Sequence, residues 1–232
     1  MSTSVRVNFN LPVPLFPLPE PILLPQSVAP LHIFEPRYRQ MITDTLDRAG
    51  QIAVACFADD EWRDDYDGTP ALRPVVCLGQ IVQHEQVSDG YQIVLHGICR
   101  ARIVSMVEPA GDVQYRAAHL RPMISPKDKE SDLSAVRSEM ESLLCDTDLA
   151  KLESVGMVRK CLHDREVDTG TLLEVIAAAL VHDANLRYEI LAEATVAGRA
   201  NLVREELLRL EHLLLLAFRQ QRDPQDYHVT LN

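Results

Sequence analysis

"PLFPLPEPILLPQSVAPLHIFEPRYRQM", residues 14 to 41, is apolar and rich in proline, yet it reads neither as a linker nor as a secretion signal. Prolines 12, 14, 17, 19, 21, 25 and 30 each lack an amide donor, so they suit extended edge segments and turns better than central strands. Between them "ILL" (22 to 24) and "LHIF" (31 to 34) are short runs able to enter a core. The stretch therefore reads as strand, proline-fixed turn, strand, then a helix launched at Pro36, a favoured first helical residue. Beyond Pro36, residues Tyr38, Met41, Ile42, Thr45 and Leu46 fall on one helical face, and Gly50 closes the element. Only Arg6 precedes the stretch, and the prolines interrupt every apolar run, so the n-region and h-region of a signal peptide are missing.

Outward from this segment the chain changes its period. "QIAVACFA" (51 to 58), "RPVVCLGQIVQHEQV" (73 to 87) and "YQIVLHGICRARIVSMVE" (91 to 108) are rich in Val, Ile and Cys, as strands are. Ser88-Asp89-Gly90 supplies a hairpin turn between the last two. Gly79 and Gly97 interrupt their strands, which marks bulges or close backbone approaches.

From about residue 131 the spacing is helical, with helices expected over 132–145, 149–163, 171–182, 186–195 and 199–221. Thr171 and Glu174 have the spacing of a capping box ahead of an apolar run. The last helix aligns Leu202 or Val203, Leu207, Leu210, Leu214 and Ala217 on one side, with Leu213, Leu216 and Phe218 as a second apolar flank. Two flanks predict packing on two neighbours in a bundle, ahead of a coiled-coil partner. The expected organisation is a β-rich subdomain over 1–122, a charged linker over 123–130 marked by Pro126, Lys127 and Lys129, and a helical bundle over 131–232.

With 23 basic against 34 acidic residues the formal charge is -11, which opposes binding to phosphate backbones and anionic membranes. The longest aliphatic run elsewhere, "LLLLAF" at 213 to 218, is far short of the roughly 20 residues a membrane span needs. Five scattered cysteines without a CxxC pair read as reduced core thiols, and the expected location is the cytoplasm.

The signatures of the common chemistries do not occur. No glycine precedes a lysine, so a phosphate-cradling GxxxxGK loop is excluded, and GxGxxG, GxSxG and HExxH are missing too. The lysines, Lys127, Lys129, Lys151 and Lys160, lie in the connector or on polar helix faces, which disfavours a serine-lysine dyad. His84 and His96, with Glu85, could face one another across the hairpin as metal ligands, but strand histidines are more often surface residues. His163 and Asp164 are adjacent on a helix and so diverge. The acidic "DDEWRDDYDG" (59 to 68) fails the calcium-loop register at Arg63 and reads as a solvated loop. Its Trp62 and Tyr66 are the candidate protein contacts, because aromatic residues are enriched where partners dock.

The opening stretch closely resembles the signature of the LON substrate-binding domain, the N-terminal domain of ATP-dependent Lon proteases, which also occurs as a free-standing protein. Pro14, Leu15, Phe16, Pro17, Leu18, Leu24, Pro25, Pro30, Leu31, Ile33, Phe34, Glu35, Pro36, Arg37 and Tyr38 carry the resemblance. "VVCLGQIV", "GYQIVLHGICRARIV", "TLLEVIAAAL" and "YEILAEATVAGRANLV" look like the family's later strands and helices. The resemblance implies an α+β chain: a PUA-like β-barrel or sheet of about six strands with one inserted helix, then a helical bundle. It also implies that most of the motif residues determine the fold, with Glu35 and Arg37 expected to pair at the start of the helix.

The function implied is recognition of unfolded or partly folded polypeptide segments, or of a protease or adaptor, by a monomer or weak homodimer. Neither the ATPase nor the peptidase module of a full Lon protease is recognisable, so no catalytic residue, metal or cofactor is expected. The competing readings are an enzyme or small-ligand-binding protein of unrecognised type and, by analogy of fold alone, an RNA-binding module, which the net charge opposes.

Overall fold

The structure, a computed structural model, describes residues 5–20, 23–64, 66, 68–124, 133–164 and 166–222, without the side chains of 218–222. Pro21, Ile22, Asp65, Asp67, Arg165, most of the expected linker with Pro126, Lys127 and Lys129, and the side chain of Phe218 lie outside the described residues. Six strands come first: β1 (Val13–Leu18), β2 (Val28–Ile33), β3 (Gln51–Cys56), β4 (Val75–Val87), β5 (Gly90–Val107) and β6 (Ala117–Pro122). Helix α1 (Pro36–Leu46) is inserted between β2 and β3. The helices α2 (Ser134–Cys145), α3 (Glu153–His163), α4 (Thr169–Leu180), α5 (Ala184–Ala192) and α6 (Val196–Arg222) follow.

The strand order is β2-β5-β4-β3-β1-β6, and β5 also pairs with β6, so five strands close into a barrel with β2 left at its rim. The 18-residue β5 makes this possible. Its first part pairs with β2 (Ile33↔Tyr91 to Val28↔His96), and its second part pairs with β6 (Val107↔Ala117 to Ala101↔Pro122). The two parts are separated by Gly97, where a Cβ atom would lie 2.1 Å from the Leu24 carbonyl oxygen. Only glycine admits that approach, which lets the turn after β1 dock through Gln26 N–H to the Gly97 carbonyl (2.8 Å) and Gly97 N–H to the Ser27 carbonyl (2.9 Å). Gly79 lies at a register shift opposite Gly97, as its interruption of β4 predicts.

The prolines of the opening stretch find different solutions. β1 is not an edge strand, because it is parallel to β3 on one side and antiparallel to β6 on the other. The Leu15 amide donates to the Arg116 carbonyl at 2.8 Å, so odd-numbered residues of β1 face β6 and even-numbered ones face β3. Pro17 therefore faces β6 beyond their last pairs, Val13↔Ala118 and Pro14↔Ala117. Pro14 faces β3 just before that ladder begins at Leu15↔Ala53. Each missing amide falls where the ladder makes no demand, which explains how two prolines enter an interior strand. Pro30 fits the expectation directly: by the same alternation, counted from Ser27, it faces the open edge of β2.

Several helical expectations shift. The expected helix over 149–163 divides into a 3-10 turn at Asp148–Lys151 and α3, with Leu152 extended between them (φ -72, ψ 133). Helix α5 starts at Ala184 because Asp183 accepts from the Leu186 amide, and α6 starts at Val196 behind the Thr195 hydroxyl, which accepts from the Gly198 amide. Thr171 and Glu174 do not form a capping box. Asp168 is the N-cap of α4, accepting from the Thr171 amide at 2.9 Å, and Glu174 is carried one turn further into the buried interior. Helix α6 also departs from expectation: Val203 and Leu207 are buried, Ala217 is exposed, and Leu213 and Leu216 are exposed rather than covered by a second neighbour.

One hydrophobic core runs from Phe16, Met41 and Leu95 of the β half through to Met140, Ile176 and Leu207 of the helical half, and a smaller core of Leu15, Leu78 and Ala118 fills the barrel. The halves are also joined by charge. Arg100 of β5 donates through Nη2 to both carboxylate oxygens of Glu174 at 2.7 Å, and Arg199 Nε of α6 lies 2.9 Å from Glu174 Oε1. All three side chains are nine-tenths or more buried. Burial raises the Glu174 carboxyl above its usual range, against the opposing pull of Arg100 and Arg199. Val75 N–H donates to the Tyr188 hydroxyl at 3.0 Å, a further bond from β4 to α5.

Candidate functional site

The N-terminus of α1 opens into a cleft of about 310 Å³, walled by Pro17, Arg37, Tyr38, Phe57, Tyr66 and Arg116. Pro36 starts the helix, and Glu35 occupies the N-cap position without making a capping hydrogen bond. Its carboxylate turns to side chains instead. Oε2 accepts from Arg37 Nε at 3.1 Å, and Oε1 accepts from the Tyr66 hydroxyl at 2.6 Å. Arg37 Nη1 reaches on to the Tyr66 carbonyl at 3.1 Å. The guanidinium thus ties the start of α1 to the acidic loop, and it lies over the Tyr66 ring at 4.5 Å and the Tyr38 ring at 4.8 Å. The expected pairing of Glu35 with Arg37 is present, with Tyr66 as a third member.

The described acidic residues of the loop, Asp59, Asp60, Glu61 and Asp64, are exposed, as a solvated loop requires, while its aromatic residues pack inward. Asp60–Arg63 form a 3-10 turn whose N-cap Asp59 accepts from the Glu61 amide. Trp62 stacks on Phe57 with centroids 5.2 Å apart and planes 11° apart, and Tyr66 meets it edge-on at 5.9 Å. Both rings are half-buried rather than freely exposed, because stacking and the Glu35 bond hold them against the barrel.

Arg116, just before β6, closes the opposite wall and donates through Nη1 to the Pro70 carbonyl at 2.8 Å. Nothing in the local sequence marks it, since it reaches the cleft only through barrel closure. Among the described residues, two guanidiniums stand against one carboxylate at the cleft, a local excess of positive charge on a chain of net charge -11. Burial lowers the Arg116 pKa, and the like charge of Arg37 adds to that, while Tyr38 opposes it. Burial raises Tyr66, and donation to Glu35 raises it further, so the phenol stays protonated. Tyr38 is raised most, by burial first, with Arg37 pulling the other way. The arrangement is suited to holding an anionic group beside an apolar one.

The remaining motif residues divide by burial. Leu15, Phe16, Pro17, Leu24, Ile33 and Tyr38 are buried, Pro14, Leu18 and Leu31 are intermediate, and Pro25 opens the turn that docks on Gly97. Phe34 is 60% exposed, with its ring 5.9 Å from that of His32. The histidines considered as metal ligands do not face one another: His84 is opposite Ile93 and His96 opposite Gln80. Among the described residues no group of three His, Cys, Asp or Glu is placed to hold a metal ion, and no helix is long and apolar enough to cross a membrane. The five cysteines are free, and burial pushes the Cys56 thiol up to about 12, which suppresses its reactivity.

A barrel with an inserted helix, joined to a helical bundle, is the architecture of solved Lon N-terminal domains. The N-terminal domain of Mycobacterium avium complex Lon protease matches with a TM-score of 0.66 at 17% identity, covering 85% of this chain and 98% of that one. A Lon N-terminal domain protein from Xanthomonas campestris matches with a TM-score of 0.55 at 19% identity, covering 88% and 98%. No curated protein matches the sequence. The family model of the ATP-dependent protease La (LON) substrate-binding domain matches residues 12–209, and the chain belongs to that family. The expected α+β fold and the resemblance carried by residues 14–38 are thereby established.

Proposed function

We propose that the chain is a non-enzymatic recognition module for protein substrates, binding apolar segments of unfolded or partly folded polypeptides or a protease or adaptor that delivers them. The observation that carries this reading is the cleft at the start of α1, where the family's own motif residues meet the half-buried Tyr66, with Trp62 packed behind it on Phe57. The cleft couples guanidiniums to a carboxylate and to tyrosines, an arrangement that grips a ligand, and family membership supports the same direction. In this reading Trp62 and Tyr66 form part of the contact surface, and neither nucleic acid nor a membrane is the partner. The chain works in the cytoplasm as a monomer or weak dimer.

The test is fluorescence anisotropy of a labelled, permanently unfolded polypeptide titrated with the protein without nucleotide, at low and high salt. Saturable binding that survives high salt and weakens in Trp62→Ala is the expected result. Absence of binding at both salt concentrations would overturn the reading.

A further inference from the structure

We infer that the cleft at the start of α1 receives the C-terminal carboxylate of a polypeptide, held between Arg116 and the Tyr38 hydroxyl; this deepens the substrate-recognition reading and rests on it. The first observation is Tyr38. The residue is only 5% exposed, lines the cleft, and its hydroxyl makes no hydrogen bond to any described residue. The hydroxyl itself is not sealed from the cleft, so it stays available to donate to a ligand there. The other buried phenol of the cleft shows the contrast, because Tyr115 donates to Asp44 at 3.0 Å.

The second observation is the charge. Glu35 neutralises Arg37 through contacts of 3.1 Å, whereas among the described residues Arg116 meets the Pro70 backbone carbonyl and no carboxylate. A half-buried guanidinium bonded to one neutral oxygen retains donors and its full charge, and a carboxylate satisfies both in one planar contact. Arg37 adds to the positive field from the far wall without releasing Glu35.

The third observation is shape. The cleft volume of about 310 Å³ is at the lower limit for small-ligand sites, enough for one or two residues. Phe57, Pro17 and Pro70 supply an apolar wall beside the two cations, so the last residue is expected to carry an apolar side chain. Capture of a terminal carboxylate is an established mode of peptide recognition, met here by side chains rather than by a backbone nest.

The experiment uses the whole chain and a pair of fluorescein-labelled decapeptides of one apolar sequence ending in Phe, one with a free C-terminal carboxylate and one amidated, with N-acetyl-phenylalanine as competitor. The free acid is expected to bind at least about tenfold more tightly than the amide, as the loss of a charge-assisted contact implies. Arg116→Gln is expected to abolish that ratio, Arg116→Lys to keep part of it, and Tyr38→Phe to reduce it several-fold with the thermal midpoint little changed. Acid and amide binding alike, with Trp62→Ala still weakening both, would overturn the terminal-carboxylate inference and leave substrate recognition standing. Binding of N-acetyl-phenylalanine with neither peptide binding would also overturn it, in favour of a free small carboxylate. Failure of all three ligands to bind, together with the unfolded polypeptide above, overturns both readings.

Discussion

The molecule contains two constellations of the same composition, two arginines and one glutamate, and they are opposite in character. At the junction of barrel and bundle, Glu174 takes Arg100 and Arg199 at 2.7 and 2.9 Å, and all three are sealed from solvent. In the cleft, Glu35 takes only Arg37, shares itself with Tyr66, and leaves Arg116 on the far side of an open volume. At the junction both carboxylate oxygens are engaged by guanidinium donors. Among the described residues the cleft holds one cation more than it has carboxylates. Identical side chains thus serve cohesion in one place and, in the proposed reading, reception in the other, and the difference lies in how the strands and helices around them close.

The sharpest way to break this comparison is Glu174→Gln. It leaves two buried guanidiniums without a counter-charge, and urea denaturation is expected to show a loss of about 3–5 kcal/mol. Replacing Arg100, Glu174 and Arg199 together by apolar residues of similar size is expected to restore most of that loss. Failure of the triple variant to recover would mean the junction carries more than charge balance.

At the cleft the same chemistry is worth less, because the groups are part-exposed and water substitutes for lost partners. Glu35→Gln is expected to cost about 1–2 kcal/mol in the same assay and to loosen the acidic loop, read as faster amide exchange around Tyr66. A cost equal to that of Glu174→Gln would erase the distinction.

The cleft should also show itself in alkali. Tyr38, Tyr66 and Tyr115 all have pKa values raised above the ordinary 10.0 in the fold. Between the unfolded and folded values the native state keeps protons that the unfolded chain has lost, so stability is full below pH 10 and falls as pH rises beyond it. Tyr38→Phe is expected to flatten that alkaline decline in a series of thermal midpoints, whereas an unchanged slope would place the loss elsewhere. Smallest is the effect of Trp62→Ala on stability, expected at about 1 kcal/mol or less since the ring is half-exposed, although its effect on polypeptide binding should be plain.

The order of elements was legible in the sequence because its signals are local. Pro36 marks the start of α1, Ser88-Asp89-Gly90 marks the hairpin, and Gly97 marks the point where β5 changes partners. What was not legible depended on closure. An interior position for β1 looked forbidden by Pro14 and Pro17, and only the staggered ends of its two ladders show why it is allowed. Glu174 carried the spacing of a cap while its real partners lie 74 and 25 positions away at Arg100 and Arg199, so no window along the chain could reveal them. The cleft was half legible: Arg37, Tyr38 and Tyr66, with Glu35 bonded to two of them, are marked by motif and composition, whereas Arg116 is an ordinary arginine until the barrel brings it round. Helix α6 misled for another reason, because its leucine pattern continues past the point where the body of the protein ends.

The proline at the open edge of β2 has a consequence for how molecules of this protein meet each other and meet extended chains. The outward positions of that edge are Val28, Pro30 and His32, so the middle donor is missing and a visiting strand finds no continuous row of amides to zip onto. Edge-to-edge sheet growth is therefore blocked at its natural starting point, and neither an extended chain nor a second copy of the protein is readily recruited into a lengthening sheet.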